Sequence, residues 1–166
     1  VDVERFEDDA LEEMAARGRG VIYTHNHRGE RIRADVPPEV RDNLLETYYR
    51  PHWRRLRSAA RGAILIDLHS YPESPWPVEG QHTAHRPEID LGFTDGLTSP
   101  SWIASLSKHF EDRGYEVGHN TPYAGVIDAG ASEAVMIEIR RDVLGTPGTR
   151  PGWRNLVEAL KKMPLP

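Results

Sequence analysis

The histidine at position 69 is the first residue whose surroundings indicate chemistry. It lies in the run Asp67-Leu68-His69-Ser70, at the end of a nearly continuous apolar stretch that predicts a buried β-strand over residues 63–69. In open α/β sheets, ligands bind beyond the carboxyl ends of the strands, which would aim this imidazole at a binding crevice. Imidazole is a common metal ligand, but a lone histidine more often hydrogen-bonds to a neighbour at a strand end. His69 is therefore a metal-ligand candidate that depends on further residues for support.

A carboxylate, Glu138, lies inside the most apolar strand of the second half of the chain, residues 134–139. Burying an unpaired carboxylate is costly, so the group must be paired, bound to a metal or held protonated. A carboxylate of raised pKa beside a metal can take a proton from the attacking water and pass one to the leaving nitrogen of an amide. The alternative is an ion pair or contact with Arg140, Arg141 or Asp142, which follow closely. From the residues alone, both interpretations have equal weight.

Two arginines and one loop contain side chains that could hold a substrate. Arg5 follows the start of an apolar stretch, and Arg86 stands at the edge of a loop. A guanidinium at either position could grip a carboxylate through two parallel hydrogen bonds, although most arginines are solvated surface groups. Asn120 and Tyr123 lie in a turn-rich loop after a predicted strand, where they could hold a carbonyl or carboxylate or could simply form a turn.

Two pairs of histidines are weaker candidates for metal binding. His25 and His27 alternate in one polar loop, and His82 and His85 are three residues apart in another. Such spacings occur in zinc sites, but neither pair is accompanied by a carboxylate in a rigid element. We therefore rank both pairs below His69.

Composition narrows the class of protein. The chain has 166 residues, 38% of them hydrophobic, which is enough for one core and one domain. Its 21 basic and 26 acidic residues are dispersed, which argues against nucleic acid as a partner. There is no cysteine, so a metal must be held by imidazole and carboxylate groups. No apolar run approaches the roughly 20 residues of a membrane span, and we expect a cytoplasmic protein whose oligomeric state the sequence does not determine.

Helical and strand patterns alternate along the chain. A helix is predicted over residues 39–60, disturbed at Pro51, because its apolar residues recur at helical spacing. The other predicted elements are strands at 63–69, 88–93, 115–119 and 134–139, a helix from Ser99 to about 113, and a terminal helix at 153–162. This alternation predicts a three-layer α/β/α domain.

Seven segments that cover nearly the whole chain in order resemble the N-formylglutamate amidohydrolase family, a relative of the zinc carboxypeptidases. They are VDVERFEDD, GVIYTHNHRGERIR, YYRPHWRRL, LIDLHSYP, RPEIDLGFTDG, NTPYAGVI and MIEIRRD. The resemblance implies a three-layer α/β/α fold of the zinc-carboxypeptidase and phosphorylase/hydrolase type, with a mixed, largely parallel central sheet.

The resemblance also implies a reaction and a role for each candidate residue. Family members hydrolyse N-formyl-L-glutamate to formate and L-glutamate with zinc, as a late step of histidine breakdown. By this resemblance His69 is a zinc ligand, and Glu138 is the general base and acid. The substrate, a small dicarboxylate, would be bound by four residues: Arg5, Arg86, Asn120 and Tyr123.

The sequence departs from the family pattern at its start. Family members place two further zinc ligands, a histidine and an acidic residue, before the segment with which this sequence opens. We therefore expect residues 1–166 to be a single domain that forms the C-terminal two-thirds of a longer amidohydrolase domain, with an incomplete zinc site. Two alternatives remain open, a carboxypeptidase-like hydrolase of a different amide or peptide, and a non-catalytic fragment that retains the fold.

Overall fold

Within residues 1–79, 85–145 and 151–166, which the computed structural model describes, the chain forms four β-strands and five α-helices. The strands are β1 (Ile64–Tyr71), β2 (Ile89–Gly92), β3 (Val117–His119) and β4 (Glu133–Arg140). The helices are α1 (Pro38–Leu44), α2 (Arg50–Ala60), α3 (Pro100–Glu111), α4 (Arg141–Leu144) and α5 (Pro151–Lys161). None of the helices in these residues has the length and apolar character needed to cross a membrane.

The chain divides into two compact units. The first comprises Val1–Ala59 and Pro75–His82, and the second comprises Ala60–Ser74 and Thr83–Pro166. The prediction of a single domain over residues 1–166 stays a prediction.

The second unit contains the β-sheet, whose strand order is β1-β4-β2-β3. β1 runs parallel to β4 and β2 runs parallel to β3, whereas β2 and β4 are antiparallel. The predicted α/β fold with a mixed, largely parallel sheet is therefore confirmed. All four predicted strands are present, although β3 is shorter than its sequence pattern indicated.

The two faces of this sheet differ in chemistry because side chains alternate along each strand. One face is apolar and packs against the buried side chains of α3 and α5; its residues in β2 and β4 are Ile89, Leu91, Val135, Ile137 and Ile139. The opposite face, called the polar face here, is formed by the alternate positions, which are Asp67, His69, Tyr71, Asp90, Met136, Glu138 and Arg140. The apolar face makes the core, and the polar face is where the chemically active side chains collect.

The first unit is built around one interrupted helix. α1 and α2 are joined by a π-helical turn at Leu45–Tyr49, just before Pro51. Proline lacks an N–H group and crowds the carbonyl four residues earlier, and a wider helical turn at that point relieves the crowding. Leu45 and Tyr49 pack with Val21 in a small core of their own. The predicted disturbance of the helix is confirmed, but it precedes the proline.

Leu106 of α3 provides a test of the core in the second unit. Its side chain is fully buried against the apolar face, so Leu106→Ala should lower the free energy of unfolding by about 2–5 kcal/mol in chemical denaturation. Leu68→Ala is the matched control, because the same atoms are removed from a side chain that is 55% exposed, and we expect a loss below about 1 kcal/mol. Equal losses in the two variants would contradict this assignment of the core.

Candidate active site

Strand pairing brings three titratable residues into one row across the polar face. His69 on β1 lies directly beside Glu138 on β4, and Glu138 lies directly beside Asp90 on β2. Residues paired in this way point to the same side of a sheet. The two residues singled out from distant parts of the sequence, His69 and Glu138, are thus neighbours on a common face.

His69 is oriented by a carboxylate on its own strand. Its Nε2 atom lies 2.7 Å from Oδ1 of Asp67, which is two residues earlier and therefore on the same face. When Nε2–H donates to a carboxylate, the ring is fixed in the tautomer whose Nδ1 atom has the lone pair that a metal needs. The pair of side chains therefore fits the chemistry of a metal-ligating histidine.

Glu138 is a buried carboxyl group whose pKa is raised. Only 7% of the residue is exposed, and this burial raises its pKa to about 7. The electrostatic effect of His69 opposes the rise, whereas the negative charges of Asp90 and Asp67 add to it. The Oε2 atom is buried and has no hydrogen-bond partner among the described residues. A carboxyl group in this state can give up or take a proton close to neutral pH.

The charged residues after Glu138 contact other groups. Arg140 forms ion pairs with Asp142 at 2.8 Å and with Glu88 at 3.8 Å. Arg141 donates to the backbone oxygen of Ser70 at 3.1 Å, and its charge lowers the pKa of Glu138. Arg140 therefore has other partners, and Arg141 acts on Glu138 at least through its charge.

Asp90 belongs to this row, and the sequence analysis missed it. The residue is 0% exposed, and burial raises its pKa to about 6 although backbone N–H groups of Thr121 and Tyr123 stabilise its charged form. The signal was available, because Asp90 stands between Ile89 and Leu91 in an apolar strand, as Glu138 stands between two isoleucines. Burial of a carboxylate is costly at both positions, so each group needs a hydrogen-bond partner, an opposite charge or a proton.

Two of the predicted substrate-binding residues, Arg86 and Tyr123, lie together in the second unit. Arg86 is 2% exposed, and its guanidinium lies 5.6 Å from the ring centroid of Tyr71 and 5.7 Å from that of Tyr123. Nη1 donates to the backbone oxygen of Pro72 at 3.3 Å and lies 3.5 Å from the hydroxyl oxygen of Tyr123. A cation enclosed by two aromatic rings is held more firmly than a solvated surface arginine.

Asn120 organises the loop that contains Tyr123. Its backbone adopts a left-handed conformation, with φ of 52°. Its Oδ1 atom accepts hydrogen bonds from the backbone N–H groups of Phe93 and Gly125, both at 2.9 Å. The side-chain oxygen thus holds the loop, and a contact between Asn120 and substrate stays a prediction.

Arg5, the remaining predicted substrate-binding residue, lies in the first unit among acidic groups. Its guanidinium is 3.1 Å from Oε1 of Glu12 and 3.6 Å from Oδ2 of Asp2. Its backbone oxygen accepts a hydrogen bond from the hydroxyl of Tyr49 at 2.9 Å. The proposed contact between Arg5 and substrate stays a prediction.

The weaker histidine candidates have other neighbours. His25 lies beside the hydroxyl of Thr24 at 2.9 Å, and the ring of His27 packs against Trp76 with a centroid distance of 5.5 Å. His85 contacts the carboxylate of Glu116 at an exposed position. His82 lies outside the described residues.

The raised pKa of Glu138 predicts that stability depends on pH. A carboxyl with a pKa of about 7 when folded and 4.5 when unfolded holds its proton more tightly in the folded protein. The stability that this carboxyl group contributes is complete below about pH 4.5 and is lost as the pH rises through 7. The free energy of unfolding of the wild type should therefore fall between pH 5 and 8. In Glu138→Gln, which has no carboxyl group to titrate at this position, the fall should be smaller by on the order of 2 kcal/mol.

Denaturant titrations at several pH values, with a chelator present, measure this effect. Glu111→Gln is the matched control, because it makes the same substitution at an exposed position on α3. Parallel pH profiles for the wild type and Glu138→Gln would contradict the raised pKa.

Comparison with known proteins relates this chain to a family. A family model described as N-formylglutamate amidohydrolase matches residues 1–144. Among curated proteins, no match was found. Solved structures do match, and the N-formylglutamate amidohydrolase from Ralstonia eutropha JMP134 superimposes with a TM-score of 0.71 and 24% identity over 89% of this chain.

A gene product from Agrobacterium tumefaciens superimposes with a TM-score of 0.53 and 19% identity over 76% of this chain. This chain spans 60% of the length of the Ralstonia protein and 56% of the length of the Agrobacterium protein. At these identities the structural likeness shows a shared α/β fold. The match of the family model to residues 1–144 shows more, namely that the chain belongs to the N-formylglutamate amidohydrolase family.

Proposed function

We propose that the protein hydrolyses the amide bond of N-formyl-L-glutamate, giving formate and L-glutamate. Membership of the family gives the reaction class, amide hydrolysis. The observation that carries the proposal is the pairing of His69 with Glu138 on one face of the sheet, where the pKa of Glu138 is raised to about 7. A metal-ligating imidazole next to a carboxyl group that exchanges protons near neutral pH is the combination that metal-assisted hydrolysis of an amide uses.

We propose zinc as the cofactor, with His69 as one of its ligands and Asp67 orienting the imidazole. The 2.7 Å contact between Asp67 and His69 supports this assignment, because metal-bound histidines commonly donate their second ring nitrogen to a carboxylate. Zinc would supply a Lewis acid that polarises the amide carbonyl and acidifies water. Catalytic zinc usually has three protein ligands, so His69 alone is expected to hold it weakly.

Glu138 moves the protons in the proposed reaction. It takes a proton from the attacking water and later delivers one to the nitrogen of the departing glutamate, whose C–N bond to the formyl group breaks. The raised pKa supports both roles, because the two protonation states are then close in free energy near neutral pH. Burial of Oε2 also keeps the group away from bulk water.

The substrate has two carboxylates, and we propose that the predicted binding residues recognise them. Arg86 supplies a buried positive charge beside the half-buried Tyr123, whose hydroxyl can donate to a carboxylate. Asn120 shapes the loop and can donate through its side-chain nitrogen. Arg5 is proposed as a second carboxylate or carbonyl contact. Formate release from this substrate would be a late step of histidine breakdown.

Replacement of Glu138 tests the proposed proton transfer. Glu138→Gln keeps the size of the side chain but cannot accept a proton, so kcat for formate release from N-formyl-L-glutamate should fall about 100-fold or more. The zinc content of the active protein should not change. Glu111→Gln, an exposed position on α3, should keep wild-type turnover. A Glu138→Gln variant with near-normal turnover would refute the assignment.

Replacement of His69 tests the proposed metal ligand. Calorimetric titration of residues 1–166 with zinc should show binding weaker than about 1 μM, since one imidazole is the ligand that the family pattern assigns here. His69→Ala should abolish that binding, and His52→Ala, on α2, should leave it unchanged. Sub-micromolar binding of one equivalent of zinc would contradict the proposal that the zinc site in residues 1–166 is incomplete. Zinc binding that is unaffected by His69→Ala would contradict the proposal that His69 is a ligand.

A further inference from the structure

Asp90 is a buried carboxylate of the polar face that the proposed reaction does not use. It is fully buried in the middle of β2, in register with Glu138 on one side and with Gly118 of β3 on the other. A buried carboxylate must be balanced by hydrogen bonds or charge, so its partners indicate what it does. Those partners are in the loop of residues 120–125.

The carboxylate of Asp90 accepts hydrogen bonds from the backbone of this loop. The N–H of Thr121 lies 3.0 Å from both carboxylate oxygens, and the N–H of Tyr123 lies 3.4 Å from Oδ2. Asn120 adds two further bonds: its Oδ1 atom accepts the N–H of Gly125 within the loop and the N–H of Phe93 just after β2. The side chains of Asp90 and Asn120 therefore both fasten the loop to β2. The hydrogen bonds to the ionised carboxylate of Asp90 are stronger than hydrogen bonds between neutral groups.

Two glycines give the loop room to lie against the sheet beside Asp90. A β-carbon at position 118 would lie 2.5 Å from Cγ of Pro87 and 3.3 Å from the backbone oxygen of Thr121. A β-carbon at position 92 would lie 2.4 Å from the backbone oxygen of Gly125. A side chain at position 92 would therefore collide with the backbone of the loop, whereas one at position 118 would clash mainly with Pro87 and crowd Thr121 by a few tenths of an ångström. The absence of a side chain at Gly92 thus allows the loop to lie close to β2.

The anchored loop determines where Tyr123 lies. Its ring packs edge-on against Tyr71 of β1, with a centroid distance of 5.9 Å, and its hydroxyl is 3.5 Å from Nη1 of Arg86. Asp90 is therefore connected to Arg86 through the backbone and ring of Tyr123.

We infer that Asp90 is a positioning residue of the site: by accepting the N–H groups of Thr121 and Tyr123, it holds Tyr123 in the place from which the loop meets substrate. This inference rests on the proposed function for the identity of the substrate. The anchoring of the loop itself is a property of the folded chain and does not depend on any reaction. Asp90 touches no reacting atom in this scheme and is not a catalytic residue.

Hydrogen exchange of the folded chain tests the anchoring. In the wild type, the amides of Thr121 and Tyr123 should exchange about as slowly as those of Ile137 and Ile139 in β4, although they lie in a loop. In Asp90→Asn, one acceptor oxygen becomes a donor, and exchange at Thr121 and Tyr123 should accelerate about tenfold or more while β4 is unchanged. Asp112→Asn, at an exposed position after α3, is the matched control and should change neither.

Rapid exchange of both loop amides in the wild type overturns the inference, and this result does not require the variant to fold. Unchanged loop exchange in Asp90→Asn, with folding verified by circular dichroism, overturns it as well.

Kinetics of the active protein with N-formyl-L-glutamate test the connection to substrate. Asp90→Asn should raise KM about tenfold with a smaller effect on kcat, and Asp112→Asn should leave both unchanged. If Asp90 acts through Tyr123, combining Asp90→Asn with Tyr123→Phe should raise KM by less than the product of the two single effects. A loosened loop with an unchanged KM overturns the positioning role. Slow loop exchange in a wild type that releases no formate would instead refute the proposed function and leave the anchoring supported.

Discussion

The burial of two carboxyl groups side by side is the constraint on which the candidate site depends. Glu138 and Asp90 are paired across β4 and β2, and both are more than nine-tenths buried. Water is the best solvent for a carboxylate, so burial raises both pKa values, and the proximity of a second negative charge adds to the effect on Glu138. How readily each of the two carboxyl groups gives up its proton then depends on the partners that surround it.

Those partners differ, and the difference separates the two roles. Asp90 receives N–H groups from Thr121 and Tyr123, which stabilise its ionised form, and its pKa is the lower of the two. Glu138 has an oxygen without a hydrogen-bond partner among the described residues. His69 and Arg141 lower its pKa electrostatically, but burial keeps that pKa raised overall. The fold thus ties one carboxylate into a loop and leaves the other able to exchange protons.

The alternation of side chains across the sheet makes this arrangement compatible with stability. The apolar residues of β2 and β4 face α3 and α5, where the core of the second unit lies. The polar residues of the same strands collect on the other face, together with Asp67 and His69 of β1. A slip of one residue in the pairing of β4 would move Glu138 into the core, so the packing that stabilises the sheet also fixes the register of the site.

Sequence patterns predict the strands and the main helices, together with His69 and Glu138 in the row of titratable residues on the polar face. Apolar runs and helical spacing are local signals, so they predict β1, β4 and α3 without any knowledge of tertiary contacts. Glu138 stands out because it is a charged residue inside such an apolar run. The same signal at Asp90 is weaker, because fewer apolar residues surround it in the sequence than surround Glu138. Residue type and loop position made Arg86, Asn120 and Tyr123 candidates, and the motif resemblance assigned them to substrate binding.

Which of these residues are neighbours depends on tertiary contacts. His69, Asp90 and Glu138 are far apart in the chain and meet because of strand order, which no local pattern encodes. The enclosure of Arg86 by two tyrosine rings and the capture of the 120–125 loop by Asp90 likewise depend on long-range contacts. Local sequence determines which backbone conformations are favourable, but burial, pKa and hydrogen-bond partners arise from atoms that distant segments bring together.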